Sequence, residues 1–147
     1  MSKYRVLQMT NNNIGAVAVG AFLPLGNITR RVQCDGNCGA TFGVTTSNAD
    51  TIVINEPGNY NVTYNGSLVA GAAGDIGIAI VVNGATIYTG TVTATADATA
   101  NITVPYQIRV RPNCESAAAN IPANVQILLS GVAITGGTSN IIVERVY

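Results

Sequence analysis

Residues 55–66 read NEPGNYNVTYNG, and the fold turns on how this stretch is read. Tyr60, Val62 and Tyr64 alternate with Asn61, Thr63 and Asn65. An extended chain would therefore put its apolar mass on one face and its amides and hydroxyl on the other. Pro57-Gly58 supplies a turn just before it, so the pattern predicts a half-buried strand over 60–70. The same residues hold Asn61-Val62-Thr63 and Asn65-Gly66-Ser67, two patterns that accept a glycan in a secreted protein. Strand, glycan acceptor and catalytic site are the three readings the rest of the chain has to separate.

Outward from this stretch, alternating runs recur every eight to twelve residues with turn residues between them, the pattern of an all-β sandwich or barrel. Strands are predicted over 4–9, 16–25, 29–34, 40–45, 51–54, 60–70, 76–82, 86–95, 98–104, 106–111, 125–134 and 140–146. Asn83-Gly84, between IAIVV and ATIYTG, is the strongest hairpin signal because both residues tolerate positive φ. Gly136-Gly137 reads as a further turn. No linker or internal repeat divides the 147 residues, enough for one domain with a real core. Only the start differs, with its Asn11–Asn13 run, so residues 1–35 are read as an N-terminal arm and 36–147 as the β domain.

Composition narrows the function. Seven basic and seven acidic residues cancel and only 10% of the chain is charged, while 48% is hydrophobic. Disorder is excluded on these figures, and nucleic acid is an unsuitable partner because phosphate binding needs clustered Lys and Arg. The absence of histidine removes Ser-His-Asp and Cys-His catalysis and imidazole metal ligands. Two carboxylates at glycosidase spacing are not recognisable, and Asp35, Asp50, Asp75 and Asp97 sit in or beside turns, where they cap local amides. The expectation is a protein that is not an enzyme, with no cofactor and no metal. No apolar run approaches about 18 residues, so no membrane span is expected. The N-terminal apolar stretch is too interrupted for a signal peptide, which leaves the glycan patterns without a secretory route.

Cys34 and Cys38 in CDGNC are free or partly paired thiols on the plainer reading, and otherwise a candidate disulfide or two ligands of a metal completed from outside; Cys114 is left over. In DIGIAIVVNG, Ile76, Ile78 and Ile80 fill one face, and the other is Gly77, Ala79 and Val81, also apolar and small. A strand apolar on both faces must be covered on both. A partner subunit is the expected cover; the N-terminal arm or crossing loops are the alternative. Glu144 and Arg145 read as strand-face residues and a candidate ion pair with a neighbouring protomer.

IVINEPGNYNVTYNGSLV, followed by an Asn-Gly hairpin, a Thr-rich region and a last strand NIIVERVY, resembles the jelly-roll superfamily of tumour necrosis factor and the complement-q globular heads over about residues 40–147. Pro57, Gly58, Tyr60 and Tyr64 match an inner strand near a trimer axis in that superfamily, and Ile141–Val146 match its central terminal strand. The whole chain is also similar to small structural proteins of bacteriophages infecting Gram-positive gut bacteria. Spore-surface members carry a collagen-like stalk that is missing here. The resemblance implies an antiparallel homotrimeric jelly-roll sandwich. It further implies a virion component, a capsid decoration or head-fibre protein held on the major capsid protein and assembled in the host cytoplasm. A carbohydrate- or receptor-binding module that contacts a host surface glycan is the alternative. The expected trimer contact is Tyr60, Tyr64, Gly77, Ala79, Val81 and Ile142, and the expected capsid anchor is Tyr4, Arg5, Val6 and Leu7.

Overall fold

A computed structural model describes residues 5–32, 50–111 and 122–146. Tyr4, the three cysteines, the predicted strand at 40–45 and the 35/36 boundary lie outside the described residues. Within them the chain is all strand: β1 (Arg5–Ile14), β2 (Asn27–Val32), β3 (Ile52–Ile54), β4 (Gly58–Ala70), β5 (Gly74–Val82), β6 (Ala85–Ala94), β7 (Thr99–Val110), β8 (Ala123–Gly131) and β9 (Ile134–Arg145). They form two sheets, five-stranded in the order β2-β1-β9-β4-β7 and four-stranded in the order β3-β8-β5-β6. Every pairing is antiparallel. This is the jelly-roll sandwich expected from the sequence.

The period of two in the opening stretch does what it predicts. Tyr60, Val62, Tyr64 and Leu68 are fully buried, and Asn61, Thr63, Asn65 and Ser67 lie on the outer face. β4 is the longest strand and pairs along its length with β7 on one side and β9 on the other. Leu7 and Met9 from β1, Ile141 and Val143 from β9, and Ile76, Ile78 and Ile80 from β5 meet it in one core. Asn83 (φ 51°) and Gly84 (φ 83°) make the predicted hairpin between β5 and β6, and the Asn83 side chain accepts a hydrogen bond from the Asn124 backbone N–H at 2.8 Å.

Three expectations are corrected. The first concerns the segment read as an N-terminal arm: its described residues, 5–32, are part of the sandwich rather than in front of it. β1 lies inside the five-stranded sheet, joined to β9 on one side and β2 on the other. The asparagine run continues β1 rather than interrupting it, since Asn11 still pairs with Ser139 before the register shifts. The chain from 17 to 23, predicted as a strand, is a strap between the sheets. Val17 bridges Ile134 of β9, and Phe22 bridges Leu128 of β8. The second concerns Pro105, left between the predicted strands 98–104 and 106–111, which does not break a strand. β7 runs through it because β7 is a sheet edge, where a missing N–H on the open side costs no ladder bond. The third concerns the chain break near the β8–β9 boundary. It falls at Val132–Ala133, just after Gly131, and Gly136-Gly137 lie within β9. Gly131 has φ +81°, and an added Cβ would meet the Asp75 carbonyl at 1.9 Å, so only glycine fits there.

Deletion of residues 1–30 should therefore remove β1, most of β2 and the strap together. Circular dichroism and limited proteolysis of the truncated chain are expected to show an unfolded, protease-sensitive polypeptide. A truncated chain that keeps a cooperative thermal transition would refute the placement of β1.

Candidate functional site

The sequence-predicted contact residues do not form one surface. Tyr60 and Tyr64 are 0% exposed within a single chain, so neither reaches a partner. Gly77, Ala79 and Val81 lie on the outer face of the four-stranded sheet, as predicted, but Ala79 and Val81 are each only 3% exposed. The registers place them between Leu128 and Gln126 of β8 and Thr89 and Thr86 of β6. Their neighbours leave little of them to cover. Ile142 alone sits half-buried on an outer face, that of the other sheet. The proposed anchor residues are inside the fold: Arg5 is 3%, Val6 2% and Leu7 0% exposed. Tyr4 lies outside the described residues.

What the sequence missed is an ionic clamp at one end of the sandwich. Register puts Arg145 of β9 opposite both Arg5 of β1 and Tyr60 of β4. Two guanidinium groups side by side repel unless something bridges them. Glu56, on the turn before β4, does so: its Oε2 is 2.7 Å from Arg5 Nε and its Oε1 is 3.2 Å from Arg145 Nη1. The first contact is one of charge rather than an aligned hydrogen bond. Arg145 Nη2 also donates to the Pro57 carbonyl at 3.0 Å, and the Tyr60 hydroxyl donates to the Glu56 carbonyl at 2.7 Å. Arg145 thus has its partner within its own chain rather than across a protomer boundary. Side-chain exposure of 4% to 16% makes this a largely buried cluster. Its residues are 51 and 89 apart, so no local pattern announces it.

The exposed surface has two features of interest. Across the outer face of the five-stranded sheet runs a ladder of amides and hydroxyls: Thr103–Asn65–Asn140–Thr10 in one row, Asn101–Ser67–Thr138 in the next. Thr103 donates to Asn65 Oδ1 at 2.8 Å, Ser67 to Asn101 Oδ1 at 2.6 Å, and Gln8 Nε2 to Asn140 Oδ1 at 2.9 Å. A shallow hollow of about 440 Å³ lies over these rows. At the next level along the strands, Pro105, Thr63, Ile142 and Gln8 form a less polar row. The second feature is at the edge where β6 and β7 meet. Tyr88 and Tyr106 stack there with ring centroids 5.2 Å apart and planes at 24°. Both occupy core-facing register positions, yet are 42% and 37% exposed. Further along the same seam Gly90 lets Val104 close in, since an added Cβ would stand 2.8 Å from Val104 Cγ2. The tyrosines fill the part that does not close.

Two of the aspartates accept hydroxyls rather than local amides: Asp50 Oδ1 accepts the Thr51 hydroxyl at 2.9 Å, and Asp75 Oδ1, within β5, accepts the Thr93 hydroxyl across the β5–β6 ladder at 2.7 Å. Among the described residues no group of three His, Cys, Asp or Glu side chains could hold a metal ion. No helix among the described residues is long and apolar enough to cross a membrane.

No protein-family model and no curated protein sequence matches the chain. Solved structures match over its whole length at low identity. The globular domain of zebrafish complement 1qA protein is 6% identical, with TM-score 0.67, and the match covers 97% of this chain and 98% of that one. The Eiger TNF of S. frugiperda is 8% identical, with TM-score 0.68 and coverage of 99% and 94%. The PRD1 vertex protein P5 is 12% identical, with TM-score 0.61 and coverage of 97% of each chain. These likenesses show the fold, that of the tumour necrosis factor and complement-q jelly-rolls, and extend the resemblance to β1 and β2.

Two measurements test the clamp. Glu56→Gln leaves two buried guanidinium groups without their bridge and is expected to cost about 3 kcal/mol in chemical denaturation, while Tyr60→Phe removes one hydrogen bond and should cost about 1 kcal/mol. Burial pushes the phenols of Tyr60 and Tyr64 up from 10 to about 12. A raised pKa means the fold favours the neutral phenol. That contribution is complete below pH 10 and is lost as pH rises from 10 to 12. Denaturation midpoints should fall across that window, and less steeply in Tyr64→Phe; an equal fall would contradict the assignment.

Proposed function

We propose that this chain is a structural component of a virus particle, a homotrimeric jelly-roll displayed on the capsid surface. The observation that carries the reading is the full-length likeness to the PRD1 vertex protein P5. It acts in this reading by surface complementarity and multivalency. Three weak contacts on one trimer add through effective concentration.

A threefold contact is head-to-tail, so each copy must supply two different patches. The tyrosine edge and the row Pro105–Thr63–Ile142–Gln8 are suited to these roles. The first is a partly exposed aromatic pair at the sheet edge, and the second is an uncharged strip at the same level of the sandwich. Tyrosine suits such a contact because its ring buries area while its hydroxyl keeps a polar partner. Because Arg5, Val6 and Leu7 are inside the fold, attachment to the major capsid protein falls to exposed apolar residues of the strap. These are Val19 at 52% and Phe22 at 36% exposure.

Light scattering at micromolar concentration should give three times the chain mass, and a clean monomer would refute the trimer. Tyr106→Lys combined with Ile142→Lys should shift the mass to that of one chain with the fold intact. Val19→Ser with Phe22→Ser should lower occupancy on purified capsids at least tenfold at unchanged trimer mass. Full occupancy by that variant would exclude the strap as the attachment.

A further inference from the structure

We infer that Glu144 of one copy pairs with Arg109 of the next, and that this ion pair gives the ring of copies its direction. The pair rests on the trimer proposed above and names a charged contact beside the apolar one. The clamp leaves this carboxylate over. Arg145 commits its guanidinium to Glu56 and to the Pro57 carbonyl, whereas Glu144, one residue earlier in β9, shares the outer face of the sheet with Ile142. There it stands half-buried between Asn61 of β4 and Val6 of β1, and its carboxylate has no hydrogen bond or ion pair among the described residues. A carboxylate that gives up hydration without a cation or a donor is unfavourable.

The described part of the same chain does not bring a cation to it. Arg5 and Arg145 are held by Glu56 in the clamp. Arg30 of β2 and Arg109 of β7 lie on the outer face, opposite Gln8 and Asn59. Each is two strands and two residues away from Glu144, about 12 Å between backbones at ordinary strand spacings.

A neighbouring copy does bring one. In the proposed contact the tyrosine edge of one copy meets the strip of the next at a shared height along the strands, because a closed ring has no rise along its axis. Counted from there toward the clamp end, Arg109 comes three residues after Tyr106 on β7, and Glu144 two residues after Ile142 on β9. By register the two then differ by two residues in height, about 7 Å, which an extended arginine side chain spans. β6 brings no charge to this edge, and Arg111 lies two residues further off. Arg109 is exposed, and the five N–H donors of a guanidinium let it keep contacts in its own chain while it takes a carboxylate from the next. A head-to-tail interface holds this pair once, whereas a twofold interface would hold it twice.

The test is charge reversal in the full-length protein, read as mass by light scattering over a concentration series. Glu144→Arg and Arg109→Glu should each raise the concentration at half-assembly at least tenfold, and the milder Glu144→Gln severalfold, with a cooperative thermal transition kept in each. Glu144→Arg combined with Arg109→Glu restores an opposite pair at every interface and should assemble within about threefold of the wild type. Mixing the two single variants should recover only part of that assembly. A ring of three always joins at least two copies of the same kind, and like charges meet there. Single reversals that leave the trimer unmoved, or a double variant no better than the singles, would overturn the pair while the trimer stands. Full rescue by mixing would mark a twofold contact and overturn the directed ring. A monomeric wild type would overturn the trimer and the pair together.

Discussion

The fold depends on one placement: β9 stands in the middle of the five-stranded sheet, with β1 on one side and β4 on the other. Pairing β1 to β9 joins residues about 130 apart, and the ladder alone would leave two arginines facing each other at its end. Glu56 resolves that conflict by reaching over the end of the sandwich to both of them. Its position is fixed by Pro57-Gly58 and by the Tyr60 hydroxyl beneath it. Turn, strand phase and ion cluster are thus coupled, and the inward phase of Tyr60 decides the phase of every residue in β4.

That phase separates the chain's two kinds of work. Inward side chains of β4 are aromatic and aliphatic and belong to the core; the outward ones are mostly amides and hydroxyls, of which Asn65 and Ser67 are hydrogen-bonded across strands. A surface of this kind is not an apolar interface. It offers directional, uncharged hydrogen bonding over a flat area, with the larger apolar groups displaced to the β6–β7 edge and the strap. The edges differ in how they resist unwanted pairing. β7 carries Pro105, β2 carries Arg30 and Arg31, and β3 is short and continued by the strap. β6 has no charge and no proline among Ala85–Ala94, and on that edge the tyrosine pair is the most prominent exposed feature.

Much of this was legible in the sequence. The alternation of Tyr60, Val62 and Tyr64, the Asn83-Gly84 hairpin and the terminal strand at 140–146 each rest on a local rule, and local rules survive folding. What could not be read was what distant strands bring together. Asn11–Asn13 look like a break until β9 supplies partners, and Pro105 looks like one until β7 is known to be an edge. The small face of β5 looked unfinished because neighbouring side chains that shelter it belong to other strands. Neither the clamp nor the asparagine hollow has any signature along the chain. Their members are adjacent only across β1, β9, β4 and β7.

A central β9 also has a consequence for synthesis. Made from its N-terminal side, the chain cannot close its five-stranded sheet until residues 134–145 are free of the ribosome. Until then β1 and β4 have no shared neighbour, and the buried sides of Leu7, Met9, Tyr60 and Tyr64 lack the strand that stands between them. Until those residues emerge, the nascent polypeptide is therefore open along its middle. The uncharged, Thr-rich stretches that make good strands are then in greatest need of a chaperone.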